Sequence, residues 1–251
     1  MHNNINDYAL WRLDLCVNIR CEKGKIFREL VRVFRKLPTP KKYTRVFYQN
    51  EDKKKANEYN KHYLRFVCGT HELVIYDKVY QLTENGIVVD YEKLPESVLR
   101  IEMHCERSYL RDIQKEENIE NTMELLTLMV TESENRIIKQ FAMCFRTCTF
   151  RRIEEIEKRI KAASFHEKKK KQMLQLSRCM QRKQNLDKEL KSTAEDGVDT
   201  DNLLDAFQKI DTNPVPLRKS FVAPCLPGPV ELLRGIAGGN MPVEYIQIKS
   251  R

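Results

Sequence analysis

The chain has 251 residues, 41% of them apolar, enough to build one large or two small cores and too many for a disordered chain. Its 45 Lys and Arg against 36 Asp and Glu give a net charge of +9, which favours a polyanionic partner without saying which. No apolar run reaches the roughly 18 residues of a membrane span, and MHNNINDYALWRL lacks the charged-then-apolar layout of a secretory signal. A cytoplasmic protein with no membrane partner is therefore expected.

Residues 9–20, ALWRLDLCVNIR, alternate with period two. Trp11, Leu13, Leu15, Val17 and Ile19 share one face, and Arg12, Asp14, Cys16 and Asn18 the other, which predicts a half-buried strand. Residues 24–37 space Ile26, Phe27, Leu30, Val31 and Phe34 as an amphipathic helix, ended by Pro38 and Pro40. A short strand is expected at 45–49, then a solvated loop through NEDKKKANEYNK. Residues 62–70 and 72–82 read as two strands joined at Gly69-Thr70-His71, and 98–106 alternates again with Leu99, Ile101, Met103 and Cys105 inward. The order strand, helix, four strands predicts an α+β fold in which a helix packs on one face of an antiparallel sheet.

After about residue 115 the pattern turns helical and charged. NTMELLTLMV and the long run 136–160 each read as amphipathic helices. Over 151–190 basic residues outnumber acidic ones roughly two to one, and Lys168, Lys169, Lys170 and Lys171 stand together, either a solvated face or a phosphate contact. Helical patterns flank Gly197, with Asp199 or Thr200 as N-cap of the second, a weak helix-turn-helix signal. From this follow a sheet domain over 1–115, a basic helical region over 116–212 and a Pro/Gly-rich extended tail over 213–251.

The eight cysteines include no C-x-x-C pair and no His at finger spacing, so reduced thiols are expected rather than zinc ligands. No phosphate-cradling Gly loop, Rossmann fingerprint or Ser/His/Asp set is visible. What remains is the polar face of the strands: Asp14 on the first, Tyr76 and Lys78 on VIYDKVYQL, and Glu102, His104 and Glu106 on the last. A tyrosine attacking a phosphodiester needs help, because its pKa near 10 leaves it protonated at neutral pH. A neighbouring ammonium such as Lys78, or a divalent metal held by Asp14 and Glu102, would favour the phenolate and polarise the phosphate. Plainer readings stand beside these: Asp14 paired to Arg100, Tyr76 packing only, Glu102 paired to Arg12, His104 structural.

WRLDLCVNI, VIYDKVYQL and VLRIEMHCER, in that order over residues 9–112, resemble the motifs of phage and plasmid rolling-circle replication initiators of the gene II/X type, with trans-acting plasmid Rep nickases further off. The matching positions are Arg12, Asp14, Cys16 and Asn18; Tyr76, Lys78 and Gln81; and Leu99, Arg100 and Glu102. The resemblance implies a nickase acting on origin DNA with host helicase and polymerase, leaving a 5′-phosphotyrosine link and using Mg²⁺ or Mn²⁺. It implies Tyr76 as nucleophile, Asp14 and Glu102 as metal ligands, Lys78 as phosphate or phenolate stabiliser, and Arg12 and Arg100 supporting the site or touching DNA. It also implies that the basic helical region over 116–212 contacts DNA. Tyr80 and Tyr91 are alternative nucleophiles. Members of that group carry a longer stretch ahead of the first motif, so a truncated or a shorter variant are both open. A catalytically inactive DNA-binding relative, or an unrelated nucleic-acid-binding protein, is the alternative function.

Overall fold

The computed structural model describes residues 9–21, 24–39, 42–87, 97–144, 148–183, 185–221, 223, 225–228, 230–231 and 233. The alternative nucleophile Tyr91 and the last part of the tail lie outside them. Five strands form one antiparallel sheet: β1 (Arg12–Cys21), β2 (Thr44–Val46), β3 (Tyr63–Cys68), β4 (His71–Asp77) and β5 (Ser97–Glu106). Their spatial order is β1-β5-β4-β3-β2, so the last strand in sequence slots between the first and the fourth. With the helices described below, the fold is α+β.

Alternation sorts the two faces as the sequence implies. Leu13 and Leu15 on β1, Leu73 and Ile75 on β4, and Leu99, Ile101 and Met103 on β5 are fully buried. Helix α1 (Gly24–Lys36) lies against this side through Phe27, Leu30, Val31 and Phe34. Burying each such side chain contributes about 1.5–3 kcal/mol. Trp11 departs from the expected inward row: it sits before the first paired residue, 67% exposed, with the Arg107 guanidinium 4.3 Å from its ring centre.

Two predicted elements change type. The insert expected as a loop holds helix α2 (Lys53–Lys61), started by Asp52, whose carboxylate accepts from the amides of Lys54 and Lys55. The strand expected over 72–82 stops at Asp77, and helix α3 (Lys78–Glu84) follows. Asp77 causes the switch. Its side chain accepts from the amides of Val79 and Tyr80, and Ser97 Oγ donates to its other oxygen. An aspartate before KVYQL, with Val79 and Leu82 three apart, is a helix start that a strand pattern hides.

The second half comprises α4 (Arg107–Glu116), α5 (Thr122–Thr131), α6 (Ser133–Cys144), α7 (Ile153–Ala162), α8 (Glu167–Arg182), α9 (Leu186–Glu195) and α10 (Thr200–Lys209). The run 136–160 is not one helix. It breaks into α6 and α7 around β6 (Phe150–Arg151), which pairs with β7 (Cys225–Leu226) from the tail. The tail docks along Thr212–Leu217, all buried. Asp199 caps α10 by accepting from Asn202 N, and Gly197 takes φ +76° in the turn before it, a conformation glycine adopts without a Cβ penalty.

Most buried apolar residues form one cluster from Leu13 to Leu233, spanning the sheet and the helical region, and Val79 and Val98 form a small separate one under α3. Phe34 sits at the junction, edge-on to Phe141 at 5.9 Å and tilted against Phe150 at 6.2 Å. Polar ties follow the same seam: Arg32 Nη2 donates to Pro216 O at 2.7 Å, the Arg218 amide to Glu29 Oε1 at 2.7 Å, and Lys36 Nζ to Met180 O at 2.9 Å. Among the described residues, no helix is long and apolar enough to cross a membrane.

Candidate active site

The polar face of the sheet is set by register. Across β1, β5, β4 and β3, one row runs Asn18, Arg100, Tyr76, Tyr63. The next runs Cys16, Glu102, Val74, Arg65, and the third Asp14, His104, Glu72, Val67. Antiparallel pairing thus brings residues far apart in sequence within side-chain reach of one another.

Glu102 is the hub. Its Oε1 accepts from the Tyr76 hydroxyl at 2.9 Å and from Arg100 Nε at 2.6 Å, while Oε2 lies 3.0 Å from His104 Nε2. Arg100 Nη2 reaches Cys16 Sγ at 3.1 Å. His104 Nδ1 lies 3.4 Å from Glu72 Oε2, and Glu72 is held by Arg65. Burial acts to raise the Glu102 carboxyl, but the His104 hydrogen bond, the Arg100 charge and the Tyr76 hydrogen bond outweigh it and hold the pKa at about 2. Tyr76 is 7% exposed, and burial together with the Glu102 charge pushes its phenol well above the usual range against the opposing pull of Arg100.

The predicted site residues divide accordingly. Tyr76, Arg100 and Glu102 meet. Asp14 does not join them: it is bound by Arg12 through Nε at 2.6 Å, and Arg12 also reaches Glu106 at 3.7 Å. Lys78 was expected on the strand face beside Tyr76; instead it opens α3, with Nζ donating to Gln81 Oε1 at 2.8 Å and lying 6.0 Å from the Tyr76 ring centre. The Tyr-x-Lys proximity survives, but by a turn into a helix rather than by strand alternation. Tyr80, likewise on α3, stacks on His62 at 3.9 Å. Neither plain ion pair from the sequence forms as drawn, since Glu102 pairs with Arg100 and Asp14 with Arg12.

Asp14 and Glu102 are each closed by an arginine, and Glu102 has both oxygens engaged. Among the described residues no group of three His, Cys, Asp or Glu is placed to hold a metal ion. As arranged, this donor set does not fit the divalent ion that the resemblance implies. Glu72 and Asp77 were missed from sequence. Glu72 was legible, being four residues before Tyr76 on the same strand and hence on the same face. Cys16, Cys21, Cys105 and Cys148 are buried.

The lysine cluster lies at the start of α8. Lys168 and Lys171 are exposed, whereas Lys169 Nζ donates to Asn202 Oδ1 at 2.9 Å and Lys170 Nζ to Lys161 O at 3.2 Å. Cations in a first helical turn oppose the helix dipole, a cost of about 0.3–1 kcal/mol each. Exposed Arg178 on the same helix is paired with Glu157 at 2.7 Å. No protein family, curated protein or solved structure matches the chain.

Proposed function

We infer that this chain is a DNA strand-transfer protein of the rolling-circle initiator type, with Tyr76 as the nucleophile. The observation that supports the reading is the Tyr76 hydroxyl bonded to Glu102, with Arg100 on the same carboxylate oxygen and Lys78 beside the ring. In this reading a phosphate takes the place of Glu102 on Arg100. Freed from that cation, the carboxylate becomes a stronger base and accepts the phenolic proton. The tyrosyl oxygen then bonds to phosphorus, the bond from phosphorus to the 3′ oxygen breaks, and the proton passes on to give a 3′-hydroxyl. Arg100 and Lys78 offset the negative charge that builds on the phosphate.

A second reading, an inactive DNA-binding relative, draws on the same web. Tyr76 is almost wholly buried, both oxygens of Glu102 are occupied, and the fit of a metal ion is lacking. One experiment separates the two. Full-length protein is incubated with supercoiled plasmid carrying the DNA that flanks its gene, in Mg²⁺, Mn²⁺ or EDTA, and denaturing gels are read for nicked circles and a protein–DNA adduct. The nickase reading expects an adduct with the wild-type chain and none with Tyr76→Phe, which still shifts the DNA. An adduct from Tyr76→Phe overturns the assignment; no adduct under any condition, with binding retained, favours the inactive relative.

A further inference from the structure

Away from Tyr76, a cleft of about 570 Å³ opens between the end of α1, the loop after β2 and α2, within the range of about 300–1,000 Å³ typical of ligand sites. Arg35 and Lys53 line it with Phe47, Tyr48, Gln49 and Asn57, and among the described residues no acidic side chain does. Phe47 is 52% and Tyr48 40% exposed, large apolar surface that a solvated loop has no reason to present. Helix α2 buries none of its residues, so it adds nothing to the core.

The aromatic surface is nonetheless fixed in place. Asn60 clamps the Tyr48 backbone from α2, accepting from its amide at 2.9 Å and donating to its carbonyl at 2.9 Å. Behind Tyr48 stands Tyr59 at 4.3 Å, then Tyr63 at 5.3 Å from Tyr59, and Tyr63 is the register partner of Tyr76. The tyrosines thus lead from the cleft to the polar face of the sheet.

The cleft also has an unanswered charge. Arg35, half-buried in the wall, has Nε and Nη2 closed off from solvent and without a hydrogen-bond partner, so its charge acts on the cleft from behind rather than through those two atoms. Burial, and then the neighbouring charge of Arg45, push its pKa down, and no acid offsets them. A buried guanidinium without a carboxylate is costly unless an anion completes it.

We propose that this cleft binds an unpaired DNA strand, with a base stacked on Tyr48 and Phe47 and a phosphate held by Lys53 in the field of the Arg35 charge behind it. Aromatic platforms beside cations are the means by which single strands are held without sequence readout. The choice of DNA rests on the reading of Tyr76; the stacking surface itself does not. The probe is fluorescein-labelled oligothymidylate, read by anisotropy with the full chain. Tyr48→Ala should weaken binding at least about fivefold, and Tyr48→Phe should restore it, since the ring rather than the hydroxyl stacks. Lys53→Gln should flatten the salt dependence, whereas Tyr48→Ala should leave the slope unchanged. An oligomer of abasic sugar-phosphate should bind wild type and Tyr48→Ala alike. Wild-type affinity in Tyr48→Ala, with an unchanged circular dichroism spectrum, overturns the proposal, as does equally tight binding of a blunt duplex. If no covalent adduct forms but Tyr48 dependence holds, the nicking reading falls and the cleft stands; an adduct with no Tyr48 dependence gives the reverse.

Discussion

Replacing Glu102 by glutamine tests the web at its centre. The amide keeps the shape and can still accept from Tyr76, but it leaves Arg100 buried without its counter-charge. The carboxyl falls from an ordinary 4.5 to about 2 in the folded chain. At about 1.4 kcal/mol per pH unit, that contributes on the order of 3 kcal/mol to stability at neutral pH. The same size is expected for breaking a buried ion pair, about 3–5 kcal/mol. Because the folded pKa is depressed, the contribution is fully present above pH 4.5 and is lost as the pH falls toward 2. Urea unfolding followed by circular dichroism should therefore place Glu102→Gln about 3 kcal/mol below wild type at pH 7, with the gap closing between pH 4.5 and 2. Asp211, a depressed carboxyl outside the web, titrates in both proteins and cancels in the difference. A gap that stays constant over this range, or one below about 0.5 kcal/mol at pH 7, would refute the account of Glu102 as a carboxylate stabilised by Arg100, His104 and Tyr76.

Lys36 gives a pH test of opposite sign. Burial, then the Arg32 charge, lower its ammonium from 10.5 to about 8 against the pull of Glu29, so the folded chain prefers it neutral. The stability difference between wild type and Lys36→Met, compared by urea midpoints, should shift in favour of wild type as the pH climbs from 8 to 10.5, because the raised thiols of Cys21 and Cys105 and the raised phenols titrate in both proteins and drop out of the difference. Phe34→Ala removes the ring that meets Phe141 and Phe150, at a cost of about 3–5 kcal/mol. Because one core spans both halves, calorimetry should show a single transition shifted down; a lowered transition beside an unmoved one would mean separately folding halves.

The sheet was readable from sequence because alternation is a local property. Leu13 to Ile19 and Leu99 to Cys105 announce their faces without knowledge of the partner strands, and so does α1 through Phe27, Leu30 and Phe34. Local rivals defeated the reading at two places. Asp77 turns a strand pattern into a helix by accepting two amide hydrogens, and Asp52 does so within a stretch whose polarity resembles a loop. The pairing of β6 with β7, which breaks the run 136–160, depends on a tail some 75 residues away in sequence.

The net charge of +9, the α+β class and the identity of the polar residues on each strand follow from composition and period-two spacing alone. Which of those residues meet was decided by strand order. Inserting β5 between β1 and β4 sets Glu102 beside Cys16 on one side and Val74 on the other, one row from Tyr76, whereas its pairing with Arg100, two residues away on the same strand, is a local contact. Asp14 and Arg12 likewise meet along their own strand, while the pairing of β3 with β4 lines Tyr63 up with Tyr76. Periodicity states which way a side chain points; only the packed sheet states what it points at, because long-range pairing carries no local signature.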